Sequence, residues 1–406
     1  MSRAAPARRA AASPSVLPTL SVALGALLSA SACGGGMPTA QPEVAAVAGV
    51  AATAELGDAH ALARRGVYTR RDLVSDDTTK IPAEHQDPNL VNAWGLDALP
   101  TSPWWVADNE PGVSTLYSGE GVAVPLVVSL PGASGPQAPT GLVANTTGEF
   151  QITMGGATGP AFFLFASEDG TIDAWMRTTP ISPTAVTVVP ADGAIYKGLA
   201  IAGTGAGARL YATDFHNAVV RVWDGAFQPV TLPPGSFTDR HLPAGFAPFG
   251  IRQIRGVLLV TYAKQDDARK DDVKGPGLGF VDAYSAGGRL LARLASRGKL
   301  NAPWGLALAP ADFGPHSHRL LVGNFGDGHV LSFGLRGERS DEEEDVDDDG
   351  VTLRGASGPI AIDGLWALNF GNGGAAGPKN ALFFTAGPQD ESHGLFGRLD
   401  FTPAHR

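Results

Sequence analysis

Asparagine, aspartate and tryptophan recur at matching places along this chain, and these side chains suit a polar pocket or a hard cation. Asn92, Trp94, Asn301 and Trp304 stand at the start of one kind of apolar run, with Phe249 and Asp363 at corresponding places. Asp108, Asn109, Glu168, Asp214, His216, Lys264, Asn324, Asp327 and Thr385 stand at the end of a second kind. Amides and carboxylates fix a ligand by hydrogen bonds while indoles supply apolar contact, the usual make-up of a small-ligand site. An oxygen-rich subset, Glu168, Asp214 and Asn324 with Asn109, suits Ca2+ or a similar ion. Asp and Asn also bond their own backbone in turns, so each residue taken singly has a purely structural reading as well. Motifs of other chemistries are absent from the sequence: there is no G-x-S-x-G elbow, no Walker A loop and no H-E-x-x-H helix.

The elements that must position these residues form a repeat. From Asn301 to Phe333 the chain reads as a Pro-Trp-Gly turn and an apolar run, a Pro-rich loop, a second apolar run ending in Asn324-Phe325-Gly326-Asp327-Gly328, and a third run that alternates. Short apolar runs between Gly, Asp and Asn turns signal antiparallel strands joined by hairpins. The same order recurs around Gly95, Gly141, Gly198, Gly250, Gly305 and Gly364, which lie 46 to 59 residues apart. Multi-strand repeats of about 40 to 50 residues indicate propeller blades, so the sequence predicts an all-β, six-bladed β-propeller. In a blade, the start of the innermost strand and the end of the second share one face of the disc. The residues named above would therefore ring one mouth of the central channel. The strand-like run Tyr68 to Val74 precedes the first copy and has no unit of its own; it is expected to complete the last blade, closing the ring and hiding an open edge.

Charged residues make up 17% of the 406, against about 25% in ordinary domains, while Gly reaches 53, which suits many turns and little helix. A net charge of −10 argues against nucleic acid, whose phosphates need a basic face. The single cysteine, Cys33, rules out a disulfide framework and a Cys-based zinc site. Arg3, Arg8 and Arg9 ahead of the apolar stretch Val16 to Ala32 read as an export signal over residues 1–33. Residues 34–67 are rich in Ala, Gly and Pro and read as a flexible tether, with the propeller following over 68–402. One insertion interrupts it, the acidic run 338–350, in which Asp345, Asp347, Asp349 and Gly350 match the first half of an EF-hand-type Ca2+ loop. Ala356 stands where the bidentate Glu belongs, and the alternative is a solvated acidic loop.

Leu28 to Gly34 resembles a bacterial lipobox, which implies lipidation at Cys33; ordinary secretion is the alternative. Asp87 to Leu96, Asn301 to Leu306, Gly323 to Gly328, Ile362 to Leu368, Phe370 to Gly373, Phe384 to Pro388 and His393 to Gly397 resemble, in order, an uncharacterised family of exported bacterial proteins, some of which accompany PEP-CTERM sorting systems. The repeat is similar to the NHL type of blade. The resemblance spans about Tyr68 to Phe401 and implies fold and export; it brings no catalytic residues. The expected protein is a monomeric, lipid-anchored propeller of the cell envelope that binds a protein, glycan or small ligand and touches the membrane through its anchor alone. The alternative is a metal-dependent hydrolase with its site at the central channel mouth, since the Glu168, Asn109, Asp214 and Asn324 set is similar to the Glu, Asn and Asp set of six-bladed lactonases.

Overall fold

The computed structural model of the protein describes residues 66–132, 137–335 and 350–404. Cys33, the export signal, most of the tether and the acidic run with Asp345, Asp347 and Asp349 lie outside them. Within the described residues the chain is all-β, and its helical content is two three-residue turns, Gly205–Gly207 and Gly314–His316.

The strands gather into small antiparallel sheets in a propeller-like arrangement. The first sheet runs outward through Ala93–Asp97, Trp104–Asp108, Val113–Tyr117 and Val128–Ser129. The second begins at Pro139–Ala144, the third at Tyr196–Ala202, the fourth at Phe246–Ile254 and the fifth at Pro303–Leu308. The third has three strands and the others four. Second strands such as Trp104–Asp108, Phe163–Ser167, Leu320–Asn324 and Ala381–Ala386 are buried throughout. A sheet covered on both faces by its neighbours needs continuous apolar runs, and those are what the sequence carries there.

Five such sheets stand alone, where the repeat count predicts six equal blades. The sixth copy, Leu365–Phe370, Ala381–Ala386 and Leu395–Pro403, is absorbed into a seven-stranded sheet. Gly66–Ser75 pairs antiparallel to Leu395–Pro403, from Gly66 opposite Pro403 to Ser75 opposite Leu395, and short strands flank it. This strand starts at Gly66, inside the stretch expected to be tether.

The repeated glycines have a steric cause. A Cβ on Gly250 would lie 2.2 Å from the Trp304 carbonyl oxygen of the next inner strand, and one on Gly305 would lie 2.5 Å from that of Trp366. Gly95, Gly141 and Gly198 press in the same way on the inner strand that follows each. Gly364 is different: it sits in a left-handed turn at φ +66 against Gly387. Aligning Trp94-Gly95 and Trp304-Gly305 with Trp366-Ala367 puts Ala367, not Gly364, at the sixth anchor position. Buried threonines stitch adjacent sheets. Thr213 Oγ1 accepts from Gly198 N at 2.7 Å and donates to Phe249 O at 2.6 Å. Thr385 Oγ1 accepts from Ala367 N at 3.1 Å and donates to Trp94 O at 2.5 Å, tying the last repeat to the first.

Candidate functional site

The residues before the anchor positions are, in chain order, Trp94, Thr140, Lys197, Phe249, Trp304 and Trp366. Thr140 donates to the Tyr196 carbonyl in the seam between two sheets, while the other five meet one another where the inner strands begin. Trp94 stacks on Trp366 with ring centroids 3.4 Å apart, Phe325 covers the other side at 3.8 Å, and Trp304 meets both indoles edge-on. Phe249 adds a further edge contact to Trp366. These rings are buried, and they plug the channel at the end where the inner strands begin.

Above the plug lies a network of polar groups. Asn92 donates from Nδ2 to Glu391 at 2.8 Å and to Asn109 at 3.3 Å, and accepts from the Trp366 indole N–H at 3.1 Å. Asn109 in turn donates to the Pro139 carbonyl. Lys197, whose side chain is 2% exposed, contacts Glu168 and lies 3.2 Å from Asp271, with its Nζ 5.0 Å over the Trp94 ring. Burial opposes the charge of Lys197, but Glu168 and Asp271 outweigh that effect and hold its pKa above the ordinary value. Lys274 stands 4.3 Å over Phe325. Asp272 has an Oδ2 shut off from solvent with no hydrogen-bond partner. Burial pushes its pKa up to about 7 against the opposing pull of Lys197 and Lys274, with Glu391 adding to the rise. Burial also raises Glu391, and its hydrogen bond from Asn92 works the other way.

Glu391 is carried on a costly turn. Gln389, Asp390 and Glu391 are consecutive left-handed residues at φ 56, 52 and 66, a conformation that costs about 1–2 kcal/mol for each side chain with a Cβ. Asp363, expected in the ring, accepts from Gln389 N at 2.8 Å and so holds this turn.

The expected ring therefore divides. Asn92, Trp94, Asn109, Glu168 and Trp304 come together at the axis. Asn301, Asn324 and Asp327 form a separate brace: Asn324 accepts from Asn301 N and donates to Lys299 O and Asp327, and Asn301 accepts from Gly275 N. Asp108 is held by Thr115, and burial raises its pKa well above the ordinary range. Asp214 takes bonds from Asn217 and Arg221. His216 Nδ1 lies 3.3 Å from the Arg269 carbonyl, and Lys264 lies over Phe246. Glu168, Asp214 and Asn324 are thus engaged in three different places, and no group of three or more His, Cys, Asp or Glu among the described residues is placed to hold a metal. Sequence reasoning missed Lys197, Asp271, Asp272, Lys274, Trp366 and Glu391. For Lys197 and Trp366 a signal existed, since each precedes an anchor position as Trp94 and Trp304 do.

Open space lies at the other end of the channel. A cavity of about 350 Å³ is walled by the far halves of six inner strands, from Leu96 and Asp97 through Leu142, Leu199, Ile251 and Leu306 to Leu368. Asp97 is spent structurally, accepting from Ala98 N, Ala144 N and Asn369 Nδ2. Arg252 spans the channel from the fourth inner strand and places Nη1 3.4 Å from the Leu368 carbonyl on the sixth. The arrangement offers a blocked, charged mouth and an accessible chamber of mixed polar and aliphatic lining behind it.

No family model matches the chain. Two proteins of Acanthamoeba polyphaga mimivirus align with most of it. "Uncharacterized protein R648" is 30% identical over 349 residues, covering 83% of this chain and 81% of its own, and "Uncharacterized protein L690" is 28% identical over 349 residues, covering 83% and 87%. Among solved structures, a streptogramin B lyase overlaps 84% of this chain and 99% of its own with a TM-score of 0.46 and 11% identity. A virginiamycin B lyase from Staphylococcus aureus overlaps 82% and 99% with a TM-score of 0.43 and 10% identity. The chain belongs to the family of the uncharacterised mimivirus protein R648.

Proposed function

We propose that this propeller is an exported, lipid-anchored binding protein that holds a small ligand in its axial channel and does not turn it over. The observation that carries the reading is the chamber of about 350 Å³ on which the inner strands of all six repeats converge, since concave sites walled by several elements are the usual places for ligands. In this reading the seven-stranded sheet acts as the sixth blade of an NHL-like ring, and Gly66–Ser75 supplies its outer strand. Export and anchoring rest on the basic start of the chain, the apolar stretch to Ala32, the lipobox-like Cys33 and the resemblance to exported bacterial proteins. The acidic run with Asp345, Asp347 and Asp349 remains a candidate Ca2+ loop. The hydrolase alternative has no observation in its favour, because Glu168, Asp214 and Asn324 are held apart by other partners.

Two measurements test the reading. Native mass spectrometry of gently purified protein is expected to show a small-molecule adduct that disappears in Ala144→Phe, a substitution at the chamber wall; an adduct-free protein unaffected by a broad metabolite screen would sink the binding role. Palmitate labelling and globomycin-sensitive processing in a bacterial host are expected for the wild type and absent from Cys33→Ser. Release of the wild-type protein into the medium would remove the anchor.

A further inference from the structure

We infer that the channel chamber selects small carboxylates, with Arg252 as the anion anchor; this rests on the reading of the chamber as the binding site and names its ligand class. Arg252 is half-buried and reaches across the channel, yet its guanidinium makes one long bond, 3.4 Å to the Leu368 carbonyl. A guanidinium has five N–H donors in a planar fork that matches a carboxylate two bonds at a time. Among the described residues no carboxylate lies within ion-pair distance of Arg252, although Arg71, Arg221, Arg293 and Arg398 all have such partners. Asp97, the acidic group in the same wall, is already occupied by two backbone N–H groups and Asn369.

The remainder of the wall defines the rest of the ligand. Leu142, Leu199, Ile251 and Leu306 supply the aliphatic part of a wall that also carries Thr146, Thr147 and Gln253, so the favoured partner has one carboxylate and a short body of a few carbons. Burying the methylenes of that body against the leucines adds affinity, while the charge-assisted fork fixes its orientation. A cation would meet the guanidinium's charge, and a neutral molecule would leave its donors unpaired in a partly desolvated site.

Isothermal titration at constant ionic strength with butyrate, butanol and butylamine distinguishes these cases. Wild-type protein is expected to bind one butyrate and neither of the other two. Affinity should fall at least tenfold in Arg252→Gln, fall less in Arg252→Lys, which keeps the charge but not the fork, and vanish in Ala144→Phe. Thermal melts of each ligand-free variant check that it is folded. Butyrate binding that is unchanged in Arg252→Gln overturns the inference. Binding of butanol or butylamine that is lost in Ala144→Phe but indifferent to Arg252 overturns the carboxylate class and keeps the chamber as a site. Absence of binding by all three to folded wild-type protein overturns the inference, and with a negative metabolite screen it overturns the channel reading too.

Discussion

Lys197 is the residue on which the channel plug depends most. Its ammonium sits between Glu168, Asp271 and the Trp94 ring with almost no solvent contact. Removing one member of a buried ion pair strands the other, at a cost of about 3–5 kcal/mol. Lys197→Met should therefore lose stability of that order in urea unfolding, and the double variant with Glu168→Gln should recover part of it. Full additivity of the two losses would show that the pair is not coupled. Asp272 gives a test of opposite character. Its carboxyl is raised from 3.8 to about 7, so between those values the folded state holds a proton that the unfolded state has released. The stability from this group is complete at low pH and is lost as pH rises through about 7. The melting temperature of Asp272→Asn minus that of wild type should grow between pH 4 and 8. A pH-independent difference would refute the assignment.

At the scale of elements, adjacent inner strands touch so closely that a single methyl group decides the fit. Gly250→Ala would drive its Cβ into the Trp304 carbonyl, and overpacking of this kind costs about 1–3 kcal/mol or more. The same substitution at the exposed Gly256 is no control, because that residue has positive φ; Gly287, with ordinary φ and open surroundings, is the better one, and Gly287→Ala should be nearly neutral. Thr385→Val tests the seam between the last and first repeats. It leaves Trp94 O and Ala367 N without their partner, and an unsatisfied buried backbone group costs about 1–3 kcal/mol. Denaturant midpoints of these three variants are sufficient to rank the effects.

At the scale of the molecule, the first and last described strands, Gly66–Ser75 and Leu395–Pro403, pair in one sheet. Deleting 66–75 uncovers the full length of Leu395–Pro403 and also removes Tyr68, whose hydroxyl donates to Phe313 O at 2.5 Å. An exposed edge strand recruits other chains. The truncated protein is therefore expected to aggregate or to lose cooperative unfolding, as seen by light scattering and thermal melts. A truncation that melts like wild type would refute a structural role for this strand. Replacing 338–349 by a short Gly-Ser linker should leave the melt unchanged in Ca2+-free buffer, and a large loss of stability there would show that the acidic run is part of the fold.

The sequence made the all-β character and the propeller-like repetition legible, because both are written in local pattern. Apolar runs of strand length, turn residues between them and a glycine at each close approach can be read without knowing what touches what. It also placed Asn92, Trp94 and Trp304 near a common axis, since residues in equivalent positions of a repeat converge. How those groups are used follows from long-range packing that no local pattern records. Whether Asn92 meets a ligand or Glu391 depends on a left-handed turn some 300 residues away in the chain, and whether the mouth is open depends on how four large rings stack. The sixth copy lost its separate sheet because Gly66–Ser75 and Leu395–Pro403 pair across nearly the whole chain. Arg252 carries no repeat signal at all; its importance arises because its guanidinium crosses a void that exists only once the inner strands stand together.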